Sequence, residues 1–323
     1  MRAQTGLADT PAGNAPRRIL PSTIYRFVLS TSGLHQVLLV TLSVVVFLIE
    51  VVPLELQRRI VNDLVKNRPY RSVVALCLLY AAIALGHGGT KLVLNIYRGW
   101  VGERVTRALR LRIAALLARY GPLVPTVETD GVGISLVISE VEPIGGFVGG
   151  SISEPILQAG VLASVIAYII HVEPLMAAAA LALFVPQLVF VPLLQSAINR
   201  RSAARVWMLR RLSIGLVEHR DHAREHAGKD GSLIDRVFQL DMGIFRFKFS
   251  MNFLMNFCNH LQIVSALLLG GWFVLTDQLE IGGVIAVISG IHRLNDPWGD
   301  LVNYFRDVSG TEVKLRLLES AID

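Results

Sequence analysis

Residues 150–196 read GSISEPILQAGVLASVIAYIIHVEPLMAAAALALFVPQLVFVPLLQS. Two apolar stretches, 150–171 and 175–196, are parted only by a link at His171–Pro174. Each has the roughly 20 residues that a helix needs to cross a bilayer core. A link this short turns the chain straight back, so the pair reads as two antiparallel membrane-crossing helices. Working outward, similar segments lie at 36–56, 73–94, 255–276 and 280–301. The last two are joined by another short link, Thr276–Glu280, whereas the gaps after the second and fourth segments exceed forty residues and are rich in Arg. The fold expected is an all-α membrane protein with six transmembrane helices.

Composition agrees. The chain is 53% hydrophobic and only 17% charged, with a mean hydropathy of +0.53, less charge than a soluble domain of this size carries. Cys77 and Cys258 both fall inside expected spans and read as buried thiols, not a disulfide. The net charge of +6 suggests nucleic acid at first sight, but its distribution argues for membrane topology and against a nucleic-acid partner. Of the 31 Lys and Arg residues, four lie in 1–35, seven in 91–119, eleven in 200–248 and four in 293–316. The links 172–174 and 276–280 hold none. Positive segments stay in the cytoplasm, which places both termini and both long connections inside a multi-pass cell-membrane protein. The exception is 57–71, where Arg58, Arg59, Lys66, Arg68 and Arg71 fall outside. Residues 1–21, with five Gly and Pro and no apolar run, read as a disordered cytoplasmic tail, leaving 22–323 as the membrane domain.

The second span is expected to continue as a helix past the membrane. No proline interrupts it from Leu92 until Pro122, and Val101, Val105, Leu109, Ile113, Leu116 and Leu117 recur at helical spacing. The segment after span four is likewise helix-compatible up to Gly228 and Gly231, read as breakers. The pattern is two long helical hairpins in the cytoplasm, with tips near Leu123–Ser139 and Ala223–Leu233. Pro174, Pro186 and Pro192 mark expected kinks in span four.

Six spans, short outer links and two long intracellular hairpins resemble the transmembrane domain of an ABC exporter. Local runs carry the resemblance further. Arg107–Arg119 with Gly133 and Glu140 resembles the family's run around its first coupling helix, with Glu140 in place of the usual Asp. Leu279-Glu-Ile-Gly282-Gly-Val-Ile-Ala286 resembles its entry into span six, and Pro297 stands at the family's span-six proline. Val308-Ser-Gly-Thr-Glu-Val-Lys-Leu-Arg-Leu-Leu318 resembles the run that closes the membrane domain. The run expected in the second hairpin is poorly preserved around Glu218–Asp230. The resemblance implies a half-transporter that works as a homodimer or paired with another half. ATP and Mg would sit on a separate ATP-binding subunit, because the sequence contains no G-x-x-x-x-G-K-[ST] phosphate loop. The chain is therefore expected to be no enzyme and to bind no cofactor itself.

Several side chains are candidates for function. Asn252, Asn256, Asn259 and His260 share one helical face of span five, and polar stripes in membrane helices face protein or a water-filled cavity. They read either as a substrate-path wall or as interhelical hydrogen-bonding groups. His292, Asn295 and Asp296 beside Pro297, and Gln158 on span three, are candidates for the same path. Lys91 and Asn95 on span two are weaker candidates for it, Lys91 reading chiefly as snorkelling to the cytoplasmic interface. Glu50 and Glu154 are intramembrane acids, read either as proton-coupling groups or as paired and buried. Leu136, Val137, Ile138, Glu140 and Val141 at the first tip, with Gly228 and Lys229 at the second, are candidates for docking a soluble partner. His219, His222 and His226 are a weak metal candidate against a plain solvated helix face.

Two functions follow from this reading. One is a permease subunit moving a substrate across the membrane on a partner's ATP hydrolysis. The other is a non-transporting membrane scaffold or regulator derived from the same architecture.

Overall fold

A single helix, α3 (Tyr70–Tyr120), carries the apolar segment 73–94 and runs on without a break through the Arg-rich stretch beyond it. The computed structural model describes residues 24–120, 141–218 and 223–322, and all the elements it describes are helices. Before α3 come α1 (Ile24–Glu50) and α2 (Val52–Val65). They part at Val51, where Pro53 opens α2, a first-turn position whose missing N–H costs nothing. A short stretch over 141–150, α4, is followed by α5 (Ser153–Val172), α6 (Pro174–Glu218) and α7 (Ala223–Leu275). The chain closes with α8 (Ile281–His292) and α9 (Asn295–Ile322). Two turns use left-handed backbone at residues that tolerate it, Asn67 at φ 52° and Asp277 at φ 57°.

Among the described residues, five stretches are long and apolar enough to cross a membrane: Ile24–Val65, Tyr70–Ala115, Ser153–Val172, Pro174–Leu209 and Gly231–Leu275. The sixth apolar segment, 280–301, is not one helix. α8 is 12 residues long and ends where the Arg293 and Leu294 amides turn to the carbonyls of Gly290 and Ile291, at 3.0 and 3.1 Å. Pro297, two residues into the next helix, cannot return an N–H to the Arg293 carbonyl. The expected breakers Gly228 and Gly231 lie inside α7, which is helical from Ala223. A glycine in a helix interior costs only about 1 kcal/mol relative to alanine and does not by itself end a helix. Pro186 and Pro192 likewise sit within α6.

The chain divides into two compact units. One comprises the described residues up to Leu39, Asn95–Ser153 and the stretch from Arg306 onward. Its core joins Ile24, Phe27 and Val28 with Val105, Leu109 and Ile113 of α3, Val141, Ile144 and Val148 of α4, and Leu315 of α9. α3 and α4 approach closely because glycines line the contact. A Cβ on Gly145 would meet the Gly102 carbonyl at 2.9 Å, and one on Gly149 would run into the Arg98 carbonyl. α1 breaks at Ser32 (φ −141°, ψ 22°). The break is satisfied locally: Ser32 Oγ donates to the Val28 carbonyl at 2.9 Å, and Gln36 Nε2 donates to Ser32 Oγ and to the Val148 carbonyl.

The other unit holds Val40–Leu94 and Glu154–Phe305. Its longest contact is the antiparallel pair α6 and α7. Arg205 reaches Asp241 at 2.8 Å, and the Arg201 guanidinium lies 4.3 Å over the Phe247 ring. α2 is tied to the start of α8. The Gly282 N–H donates to Asn62 Oδ1 at 2.9 Å, and Asn62 and Lys66 both bond the Glu280 carboxylate. Small residues again let helices approach: a Cβ on Gly290 would meet Ile169 of α5 at 2.9 Å. Much of the apolar surface faces outward, including Phe249, Phe253, Phe257, Leu268 and Trp272 along α7. In water, so large an apolar surface would drive aggregation; it is compatible with helices long and apolar enough to cross a membrane.

Candidate functional site

A polar cavity of about 620 Å³ opens in the second unit. α7 supplies Asn252, Met255 and Asn256, which the helical period sets on one face. α9 supplies Asn295, Asp296, Gly299, Asp300 and Asn303 from the turns just after the α8–α9 break, and Lys91 enters from α3. Two carboxylates thus face one ammonium group, among four asparagine amides. The Asn295 Oδ1 atom is buried and has no hydrogen-bond partner among the described residues. Next to the cavity, Gln158 of α5 uses one amide nitrogen for two acids. It donates to Asp300 Oδ2 at 3.0 Å and to Glu154 Oε1 at 2.7 Å.

The α9 wall is anchored from behind. Leu294 is 2% exposed, and the Trp298 ring packs edge-on against Phe184 of α6 with centroids 6.1 Å apart. At the break itself, Arg293 is ion-paired to Glu50 of α1 and donates to the Glu50 carbonyl at 2.9 Å. The other carboxylate oxygen of Glu50 lies 2.8 Å from His87 Nε2. Glu50, an acid at the end of the apolar helix α1, is therefore held between two basic side chains from two other segments.

Of the residues expected to line a path, Asn252, Asn256, Asn295 and Asp296 border this cavity, and Gln158 bonds one of its wall residues. Lys91, a weaker candidate for the path that read chiefly as snorkelling, is part of the wall. Asn259 and His260 do not join them. Asn259 is buried at 8% exposure, while His260 is exposed outside the lining, as is His292 at the end of α8. A shared helical face gives a shared environment only while the neighbouring helices stay the same. The register set by Arg205–Asp241 and by Gly270, which packs on Met176, brings Asn259 level with Gln187 of α6. Asn256 and Asn252, about one and two turns nearer the hairpin tip, look instead onto the cavity. Gly299, Asp300 and Asn303 were missed by sequence reasoning, although Gly299 and Asp300 stand four residues after Asn295 and Asp296, and Asn303 four after Gly299, a readable signal.

Val141, expected at a docking tip, is fully buried in the core of the first unit beside Ile144 and Val148, and offers no contact surface. Leu136, Val137, Ile138 and Glu140 lie outside the described residues, as do His219 and His222. Gly228, Lys229 and His226 fall within α7, and the side chains there are outside the described set. Among the described residues, no group of three His, Cys, Asp or Glu could hold a metal ion. Both cysteines are free, and Cys77 is exposed, not buried. It lines a second cavity of about 390 Å³ with Ile60 and Val61 of α2, Tyr80 of α3 and Ile285 of α8.

No family model matches the sequence, and no curated protein matches it.

Proposed function

We propose that this chain is the membrane-spanning permease subunit of an ABC-type transporter, and that the cavity between α3, α7 and α9 is part of its substrate path. The observation that carries this reading is the cavity itself. Seven of its lining residues are polar or charged; Lys91, Asn252 and Asn256 project from helices apolar enough to cross a membrane, and the other four from α9 just after the break. Polar groups at such positions are expensive and mark substrate pathways. The volume falls in the range of about 300–1,000 Å³ typical of small-molecule sites.

In this reading the chain crosses the membrane six times, the sixth crossing being the broken pair α8 and α9. Broken helices are tolerated in a bilayer where protein or a cavity covers them. Both termini are cytoplasmic by the charge asymmetry, so the cavity faces the inner leaflet. Two copies, or two related halves, enclose the path. Energy comes from ATP hydrolysed on a separate subunit, which docks on the cytoplasmic continuations of α3, α6 and α7.

The test is accessibility. Asn256→Cys is introduced into a chain with Cys77→Ser and Cys258→Ser and labelled with a membrane-impermeant maleimide in whole cells and in inverted vesicles. A permease cavity labels from the cytoplasmic face, and its rate changes several-fold when the cells are depleted of ATP. Equal labelling with and without ATP would refute transport and favour the scaffold reading.

A further inference from the structure

The charge asymmetry that orders the rest of the chain fails at 57–71, where five cations cluster. Three of them are taken up by neighbours in the second unit. Arg58 and Arg59 pair with Glu55 at 3.2 and 2.8 Å, and Lys66 pairs with Glu280. Arg68 and Arg71 are exposed, and their side chains have no partner among the described residues. With Asp63 counted, five cations meet three carboxylates, which leaves a surplus of two positive charges at the corner between α2 and α3. The same corner exposes apolar groups: Leu64 and Val65 are each 53% exposed and Tyr70 is 78% exposed. It joins two stretches long and apolar enough to cross a membrane, Ile24–Val65 and Tyr70–Ala115. In the six-crossing reading it therefore lies at a bilayer surface. Tyr side chains settle at headgroup level there, and basic side chains meet anionic lipid.

A groove leads away from this corner along the two helices. The turn at 66–69 brings α3 back beside α2, and a cavity of about 390 Å³ lies between them and α8. Val61 and Cys77 line the end nearer the corner, with Cys77 about 9 Å along the helix from Arg71. At the far end Gln57 Nε2 donates to Tyr80 Oη at 3.3 Å. Ile60 and Ile285 add apolar surface, and no lining residue is charged. α8 is held in place by the bonds from Asn62 and Lys66 to its first residues and to Glu280.

We propose that the α2–α3 corner binds an anionic phospholipid, its headgroup phosphate on Arg68 and Arg71 and the first part of one acyl chain in the groove past Val61 and Cys77. Charge selects this occupant. A guanidinium holds a phosphate through parallel hydrogen bonds, whereas a zwitterionic lipid brings its own cation to a surface that already has a surplus. The uncharged groove takes a hydrocarbon chain and offers a free phosphate nothing. The inference goes beyond transport: it requires α3 to cross the membrane and is indifferent to whether labelling of Asn256→Cys depends on ATP.

The native Cys77 thiol, exposed in the groove, reports occupancy. The full chain carrying Cys258→Ser is held in dodecyl maltoside micelles, and alkylation of Cys77 by a maleimide is timed. Dioleoylphosphatidylglycerol, dioleoylphosphatidylcholine or inorganic phosphate is titrated in. Each cation beside an anionic lipid strengthens binding about fivefold, so phosphatidylglycerol should half-protect Cys77 at an about twentyfold lower mole fraction than phosphatidylcholine. Arg68→Gln combined with Arg71→Gln should erase that preference at an unchanged unfolding temperature, since both side chains are exposed. Arg59→Gln, exposed but paired with Glu55, should leave most of the preference in place. Inorganic phosphate should give no protection. Equal protection by the two lipids, protection by phosphate alone, no protection by any probe, or a preference that survives in the double variant would each overturn the inference. So would a loss in Arg59→Gln as complete as in the double variant, because net charge and not the two unpaired cations would then be responsible.

Discussion

Removing the Arg293 side chain should destabilise the second unit more than neutralising its partner does, and the structure says by how much. Arg293 makes two contacts with Glu50, one to its carboxylate and one at 2.9 Å to its backbone carbonyl. Their side chains are only 27% and 16% exposed. Removing one member of a buried ion pair costs about 3–5 kcal/mol, chiefly because the other charge is left uncompensated. Here His87 remains 2.8 Å from the second oxygen of Glu50, so Arg293→Met belongs at the lower end, about 3 kcal/mol. Glu50→Gln keeps the shape and leaves the backbone carbonyl bond in place, so about 1.5 kcal/mol is expected, in line with one charged hydrogen bond. In the double variant the smaller loss overlaps the larger, giving a coupling energy of about 1.5 kcal/mol, inside the range for residues in direct contact. Arg293→Lys should fall between, since Lys keeps the charge but its ammonium is more strongly hydrated than a guanidinium and loses more on burial. Reversible unfolding in mixed micelles, titrated with dodecyl sulfate and followed by tryptophan fluorescence, measures each value. A coupling energy below about 0.5 kcal/mol would mean that the pair does not hold the α8–α9 break in place, and the reasoning would fail.

Two other substitutions probe the packing. Val141→Asp buries a charge in the core of the first unit, where Val141 is fully buried, and should cost more than about 3 kcal/mol; proteolysis of the detergent-solubilised chain would rise sharply, and protection equal to wild type would contradict the core assignment. Gln187→Leu should instead stabilise the α6–α7 pair by about 1–2 kcal/mol, because the Gln187 amide is fully buried with no partner among the described residues. A loss of stability in the same dodecyl sulfate titration would show that this amide is hydrogen-bonded after all.

The long helices were legible because their signals are redundant. The run Leu92–Arg119 has helical periodicity and no proline, and α3 traverses it whole. The short links at His171–Pro174 and Thr276–Glu280 were equally clear, since nothing between the apolar runs is long enough to do anything but turn. What the sequence concealed depends on neighbours. Gly228 and Gly231 look like breakers in isolation, but α7 runs through both at a propensity cost of about 1 kcal/mol each. Val141 looks like part of an apolar tip until α3 is placed against it through Gly102 and Gly145. The asparagine stripe on span five was correctly seen as polar, yet periodicity carries no information about depth. Only the register of α6 on α7 separates Asn259, which is buried, from Asn252 and Asn256, which border the cavity.

The break between α8 and α9 is the feature on which the cavity depends. Had 280–301 been one straight helix, its face would have been set by the packing of Gly282 on α2 and Gly290 on α5. Ending α8 at His292 frees the next helix to take its own orientation. That orientation is fixed by Leu294 and Pro297, both buried, and by Trp298 against Phe184. With those groups turned inward, the helical period leaves Asp296, Asp300 and Asn303 on the open side. Arg293, at the break, is bound to Glu50 on α1 and not available to neutralise the carboxylates that follow it. The same two-residue interruption therefore orients the polar wall of the cavity and places the nearest cation in sequence, Arg293, on Glu50.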